Sequence, residues 1–80
     1  MTRQDALRLL EEILELPNDS LHGGESLRGE VPWDSMSSLA FIAEVDRRFG
    51  LPVPGGAVAD CKTVADLLRL LEAARAGRAA

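Results

Sequence analysis

Residues 33 to 50 read Trp33-Asp34-Ser35-Met36-Ser37-Ser38-Leu39-Ala40-Phe41-Ile42-Ala43-Glu44-Val45-Asp46-Arg47-Arg48-Phe49-Gly50. Nothing from Ser35 to Phe49 breaks a helix. Asp34 and Ser35 are residue types that open one, and Gly50 is the type that closes one. The stretch is expected to be helical over residues 35–49. At about 100° per residue, Phe41, Ile42, Val45 and Phe49 share one face and form its core side. A different side carries Met36, Ala40, Ala43 and Arg47, with Leu39 at its border. This partly apolar stripe begins beside the serine, and serves either as extra core packing or as a docking surface for a partner.

Toward the N-terminus, Leu7, Leu10, Ile13 and Leu14 recur at helical spacing with Glu11, Glu12 and Glu15 between them. An amphipathic helix over residues 3–16, ended by Pro17, follows. Between the two helices, Pro17, Asn18, Asp19, Gly23, Gly24, Gly29 and Pro32 are too dense for any helix or strand interior. Residues 17–33 are therefore a long ordered loop, anchored by Leu21, Leu27 and Val31. So long a loop in so small a chain points to function at one of its ends, and that end is Ser35.

Toward the C-terminus, Leu51-Pro52-Val53-Pro54-Gly55-Gly56 is a connector, and residues 57–61 form a short irregular turn of helix. Thr63 and Asp66 have capping-box spacing, and Val64, Leu67, Leu68 and Leu71 repeat at helical intervals. The last helix is expected over residues 64–75, with residues 76–80 frayed. Nothing alternates with period two. The fold class is all-α: a small bundle of three main helices, plus a short fourth between the second and the last.

Eighty residues, 46% hydrophobic and 28% charged, suit one small folded domain spanning residues 1–80. A formal net charge of -4 argues against nucleic acid, which is met by basic surfaces. No apolar run approaches the roughly 20 residues of a membrane span, and the N-terminus, with Asp5 and Glu11 close by, lacks a signal-peptide core. A cytoplasmic location is expected. The single cysteine, Cys61, cannot form an internal disulfide, and a monomer is expected under reducing conditions.

Ser35 is not a hydrolase nucleophile. Activation needs a base within hydrogen-bond reach, yet the sole histidine is His22 in the loop and no Gly-x-Ser-x-Gly elbow exists. Asp34 and Ser35 would serve as plain helix caps, a role worth about 1 kcal/mol. Capping alone leaves the long loop, the apolar stripe and the serine hydroxyl unexplained. A phosphodiester on Ser35 would sit at the positive end of the helix macrodipole, which suits a phosphate. The site suits carrying a group rather than reacting by itself.

With these residues in place, the sequence resembles an acyl carrier protein, of the family that bears a 4'-phosphopantetheine arm on the serine of an Asp-Ser-Leu motif. Here the motif is Asp34-Ser35-Met36. The likeness covers the whole chain: an amphipathic first helix, a long loop, the motif opening a helix that ends in Phe49-Gly50, and a last helix introduced by Thr63-Val64. The resemblance implies that a phosphopantetheinyl transferase moves the arm from coenzyme A onto Ser35, with Asp34 helping to orient the transfer and its magnesium ion. It implies a non-catalytic carrier that holds an acyl group as a thioester and presents it to loading ligases and downstream synthases. The implied partner-binding positions are Met36, Leu39, Ala40, Ala43 and Arg47. An acidic surface is the pattern in fatty acid synthesis, but Ala40 and Arg47 stand here where carboxylates would be expected, and Arg48 adds a positive charge. A specialised fatty acid, polyketide or related pathway follows from that departure. An aminoacyl or peptidyl carrier loaded by an adenylating ligase is the alternative, and a helical interaction module without any prosthetic group is the second.

Three further residues have simpler expected roles. Cys61 is a small buried hydrophobe where the family places an apolar residue, His22 an exposed loop residue, and Trp33 a plug packing the loop against the bundle. Glu11, Glu12 and Glu15 form either a solvated helix surface or an acidic face for partners.

Overall fold

The computed structural model describes residues 2–79, and side chains as far as Gly77. Four helices follow one another: α1 (Arg3–Leu14), α2 (Ser35–Phe49), α3 (Gly55–Ala59) and α4 (Val64–Ala79). Among the described residues there is no strand, only one isolated antiparallel bridge between Ser26 and Thr63. The all-α reading holds.

Caps place the helix ends. Thr2 and Asp5 open α1 with a full capping box: the Thr2 hydroxyl accepts from the Asp5 amide at 3.1 Å, and the Asp5 carboxylate accepts from the Thr2 amide at 2.9 Å. The helix stops at Leu14 rather than residue 16. Glu15 turns left-handed at φ 57, and the Leu16 amide then donates back to the Glu11 carbonyl at 2.8 Å. Pro17 is the reason, since it disfavours helical geometry at the residue before it. At the far end of α2, Gly50 takes the left-handed cap at φ 66, which a glycine adopts without strain.

Two further helices differ in their bounds from the sequence reading. The short helix spans Gly55–Ala59 instead of residues 57–61, with Pro54 as its N-cap. Gly55 and Gly56 fall in its first turn, where the chain needs little propensity, and burial of Val58 secures the rest. The last helix runs to Ala79 rather than 75, because the tail is rich in alanine and arginine and only Gly77 opposes it. Ala80 lies outside the described residues.

The core joins Leu7, Leu10 and Leu14 of α1 to Phe41 and Val45 of α2, Val58 of α3, and Val64, Leu67 and Leu71 of α4. Ile42 and Phe49 lie at its edge, half covered. Leu21, Leu27 and Val31 are buried as expected, so the long loop is part of the core rather than a surface excursion. It folds back along α1 and is then stitched to the start of α4. Leu27 donates its amide to the Lys62 carbonyl at 2.8 Å, Val64 to Glu25 at 3.0 Å, and Ala65 to Gly23 at 2.7 Å.

Glu11 corrects the expectation of an acidic or solvated face on α1. Its side chain is fully buried, pairs with Arg8 at 2.6 Å, and accepts the amides of Leu21 at 2.8 Å and Asp19 at 3.2 Å. The returning loop presents amides that need acceptors away from water, and Glu11 supplies them. Burial by itself would raise its pKa, but the Leu21 amide, Arg8 and the Asp19 amide together hold it below the ordinary glutamate value. Glu12 is also engaged, through Arg48 of α2.

Candidate functional site

The loop delivers the chain to Ser35 through Val31, Pro32 and Trp33. Val31 is buried and its carbonyl accepts the Trp33 amide at 2.8 Å. The Trp33 indole packs edge-on against the buried ring of Phe41, with centroids 6.0 Å apart. Trp33 therefore anchors the loop on α2, as the sequence suggested.

Asp34 is the N-cap of α2. Its Oδ1 accepts the Ser37 amide at 2.8 Å and the Ser37 hydroxyl at 3.0 Å, and its carbonyl accepts the Ser38 amide at 2.9 Å. The Ser37 amide and hydroxyl hold the Asp34 carboxyl below the usual aspartate value, with help from the Met36 amide. It is therefore ionised at neutral pH. Ser37 was not singled out from sequence, although the Asp-x-x-Ser spacing carries the signal for a side chain that returns to its cap.

Ser35 is the first residue of α2, exposed, and its hydroxyl makes no hydrogen bond among the described residues. Three serines open this helix, and they differ in this respect. Ser37 is tied to the cap and Ser38 is half-buried, so only Ser35 presents an open hydroxyl at the helix start. The first turn of α2 itself contains no acidic residue, but the ionised Asp34 carboxylate at the N-cap offsets part of the positive end of the helix dipole. A residue that holds a phosphodiester and a long chain needs an uncommitted hydroxyl and open space. Ser35 has both, so the residues present fit such a group.

Beyond Ser35, Met36 is 76% exposed and Leu39 67% exposed, so the stripe is not an additional core face. Ala43 is exposed and Ala40 half-buried at the border with the core side. Arg47 is exposed, but it is not a free cation: its Nε and Nη2 donate to the two carboxylate oxygens of Glu44 at 2.6 and 3.1 Å. Arg48 is likewise committed, donating to the Glu12 carboxylate at 2.8 and 3.1 Å and lying 3.5 Å from Glu44. The expected excess of positive charge is corrected to a balanced set. Glu44 lies one turn before both arginines, a spacing visible in the sequence, whereas Glu12 reaches Arg48 only through the fold.

Elsewhere, His22 is exposed and its hydrogen bonds are made by its backbone: the carbonyl accepts from Arg3 at 2.7 Å and the amide donates to Glu25 at 2.8 Å. Cys61 is half-buried against the core rather than fully enclosed, and its thiol donates to the Ala57 carbonyl at 3.4 Å. Burial, then the carboxylates of Asp66 and Asp60, push the thiol pKa up, which keeps it protonated and weakly reactive. Among the described residues no cluster of His, Cys, Asp or Glu could hold a metal ion, and no helix is long and apolar enough to cross a membrane.

Residues 4–71 match the family described as "Phosphopantetheine attachment site". The chain is similar to "Acyl carrier protein 3" of Ralstonia nicotianae, with 28% identity over 72 residues that cover 90% of this chain and 83% of that protein. No solved structure matches it significantly.

Proposed function

Because the chain belongs to the phosphopantetheine-attachment family of acyl carrier domains, we propose that residues 1–80 form one carrier domain whose arm is attached at Ser35. The protein is a phosphopantetheine carrier, and its cofactor is a covalently attached 4'-phosphopantetheine. Carriers of this family meet phosphopantetheinyl transferases and synthase enzymes. When bound, the arm supplies a terminal thiol that holds an acyl group as a thioester.

The observation that carries the assignment of Ser35 is its exposed hydroxyl, free of hydrogen bonds among the described residues, at the first position of α2. In the transfer, Ser35 Oγ accepts the phosphopantetheinyl half of coenzyme A, the nucleotide half leaves, and the hydroxyl proton passes to the transferase. Asp34, the residue before Ser35, keeps its carboxylate charged and would orient the transfer and the magnesium ion that accompanies it. The remaining side chains do not react, and the carrier presents its cargo without catalysing a step. We place it as a monomer in the cytoplasm, serving a specialised fatty acid, polyketide or related pathway rather than housekeeping fatty acid synthesis. Support for the specialised role comes from the α2 face, where Ala40 and the Arg47–Glu44 pair replace a run of free carboxylates. An aminoacyl cargo loaded by an adenylating ligase fits the same site.

Intact-mass spectrometry after incubation with coenzyme A, magnesium and a broad-specificity transferase tests the site. A gain of one phosphopantetheine in the native protein and none in Ser35→Ala is the expected result. No gain with several transferases, on a folded sample, would leave a helical interaction module in which Asp34-Ser35 only begins a helix.

A further inference from the structure

We infer that Ser37 is a positioning residue for arm attachment: its hydroxyl pins the Asp34 carboxylate at the opening of α2, so that the second carboxylate oxygen stays available to the magnesium ion that accompanies coenzyme A. This deepens the carrier reading and rests on it. Two donors of Ser37 converge on Asp34 Oδ1, the amide at 2.8 Å and the hydroxyl at 3.0 Å. Neither falls on Oδ2. The Ser37 hydroxyl also lies 3.3 Å from the Pro32 carbonyl, but it has one proton to give, and the nearer, charged acceptor takes it.

Capping alone does not call for that hydroxyl. A cap needs only the amide at position 37, which every residue type but proline supplies. One bond would also leave the carboxylate loosely set, because the terminal torsion of an aspartate is broad and roughly two-fold, so that either oxygen could take the amide. Two donors meeting on the same oxygen remove that exchange and hold the plane of the carboxylate. Asp34 is exposed, so packing does little to set its rotamer, whereas Ser37 is half-buried in the first turn of α2 and makes a firmer support. The neighbouring serines do not share the task. The Ser35 hydroxyl has no partner among the described residues, and Ser38 gives its amide to the Asp34 carbonyl, at 2.9 Å. Magnesium is met by one or two carboxylates together with substrate phosphates, so one well-held carboxylate oxygen from the carrier suits it. An oxygen already held in place loses less freedom on meeting the ion than one that rotates.

The test follows arm transfer by intact mass, with the whole chain, coenzyme A and a broad-specificity phosphopantetheinyl transferase, over a magnesium titration. Ser37→Ala keeps the capping amide and removes the hydroxyl, so its melting temperature is expected to stay at the native value. Its kcat for transfer is expected to fall about fivefold, the rate equivalent of one hydrogen bond of ordinary net strength, with the carrier KM unchanged and the half-saturating magnesium concentration raised. Ser37→Thr, which keeps the hydroxyl, is expected to restore both. In the Asp34→Asn background, Ser37→Ala is expected to cost less than about a further 1.5-fold, because no charged oxygen is left for it to position. Coupling constants of the Asp34 β-protons, read by NMR without any transferase, are expected to show one rotamer in the native chain and an average in Ser37→Ala. A native kcat and magnesium requirement in Ser37→Ala would overturn the inference while leaving the carrier reading intact. A loss that persists in full in the Asp34→Asn background, or couplings already averaged in the native chain, would do the same. Absence of any mass gain in the native chain at every magnesium concentration would overturn the carrier reading, and the inference with it.

Discussion

The indole of Trp33 meets the buried ring of Phe41 edge to face, with centroids 6.0 Å apart and planes at 70°, two residues before the serine that opens α2. That contact fixes where the loop ends and the helix begins. Trp33→Ala removes it along with part of the core cover, and is expected to lower stability by about 2 kcal/mol in a denaturant titration. Arm attachment to Ser35 is expected to slow in the same variant, since the motif loses its anchor. A native rate in a clearly destabilised variant would show that Trp33 serves the core alone.

Asp34 has two separable roles, as a cap and as a charge. Asp34→Asn keeps an oxygen able to accept the Ser37 amide, so its melting temperature should stay near that of the wild type. Asp34→Ala loses the cap, and about 4–8 °C is expected for a domain of this size. Both lose the carboxylate and are expected to take the arm at least tenfold more slowly, which a mass time course reads directly. If Asp34→Asn were modified at the native rate, the charge would play no part in transfer.

Glu11 makes the fold sensitive to acid. Its folded pKa lies below the ordinary value of 4.5, so the stabilisation is complete above that value and is lost as pH falls through the lower, folded one. Stability measured by urea titration should therefore decline below about pH 4.5, and the decline should be shallower in Glu11→Gln. At neutral pH Glu11→Ala leaves Arg8 and the amides of Asp19 and Leu21 without their buried acceptor, and a loss of about 3 kcal/mol is expected.

Neighbouring glycines of the loop should respond in opposite ways to the same change. Gly23 has φ 124, and a Cβ there would collide with the Arg3 guanidinium that donates to the His22 carbonyl. Gly24 has open space around it. Gly23→Ala is expected to lower stability by about 1–3 kcal/mol, with Gly24→Ala neutral or slightly stabilising. Thermal melts of the two variants distinguish them.

Arg47→Glu replaces the cation that neutralises Glu44 with a second carboxylate. The α2 face then becomes more acidic, and transfer assays should become more salt-dependent than with the native chain. Affinity for fatty-acid-synthesis enzymes with basic docking faces should rise while affinity for the cognate partner falls, as read by titration calorimetry. Unchanged affinities for both would remove the electrostatic account of partner choice.

How far this molecule could be read in advance differs between its parts. The capping box of Thr63 and Asp66 was visible in the spacing, and the structure has both of its hydrogen bonds, at 3.2 Å to the Thr63 hydroxyl and 3.1 Å to the Asp66 carboxylate. The equivalent box at Thr2 and Asp5 carried the same signal at the chain start. Core positions Phe41 and Val45, and the loop anchors Leu21, Leu27 and Val31, followed from periodicity and from apolar residues isolated among turn formers. Glu11 did not follow. A glutamate on an amphipathic helix reads as solvated, and only the returning loop, ten residues further along at Leu21, makes it a buried acceptor.

The sequence by itself determined the helices, their caps and the position of Ser35 at the start of α2, because hydrophobic periodicity and capping act over a few residues along the chain. Only the tertiary structure decided the charge of the face beside that serine. Arg48 meets a carboxylate 36 positions away, and Glu44 is divided between two guanidiniums, so four groups are committed to one another in the fold, of which only the Glu44 pairings are marked by spacing in the sequence. Pairing of this kind depends on distances set by packing, and an ion's partner across a helix interface leaves no mark on its own neighbours in sequence.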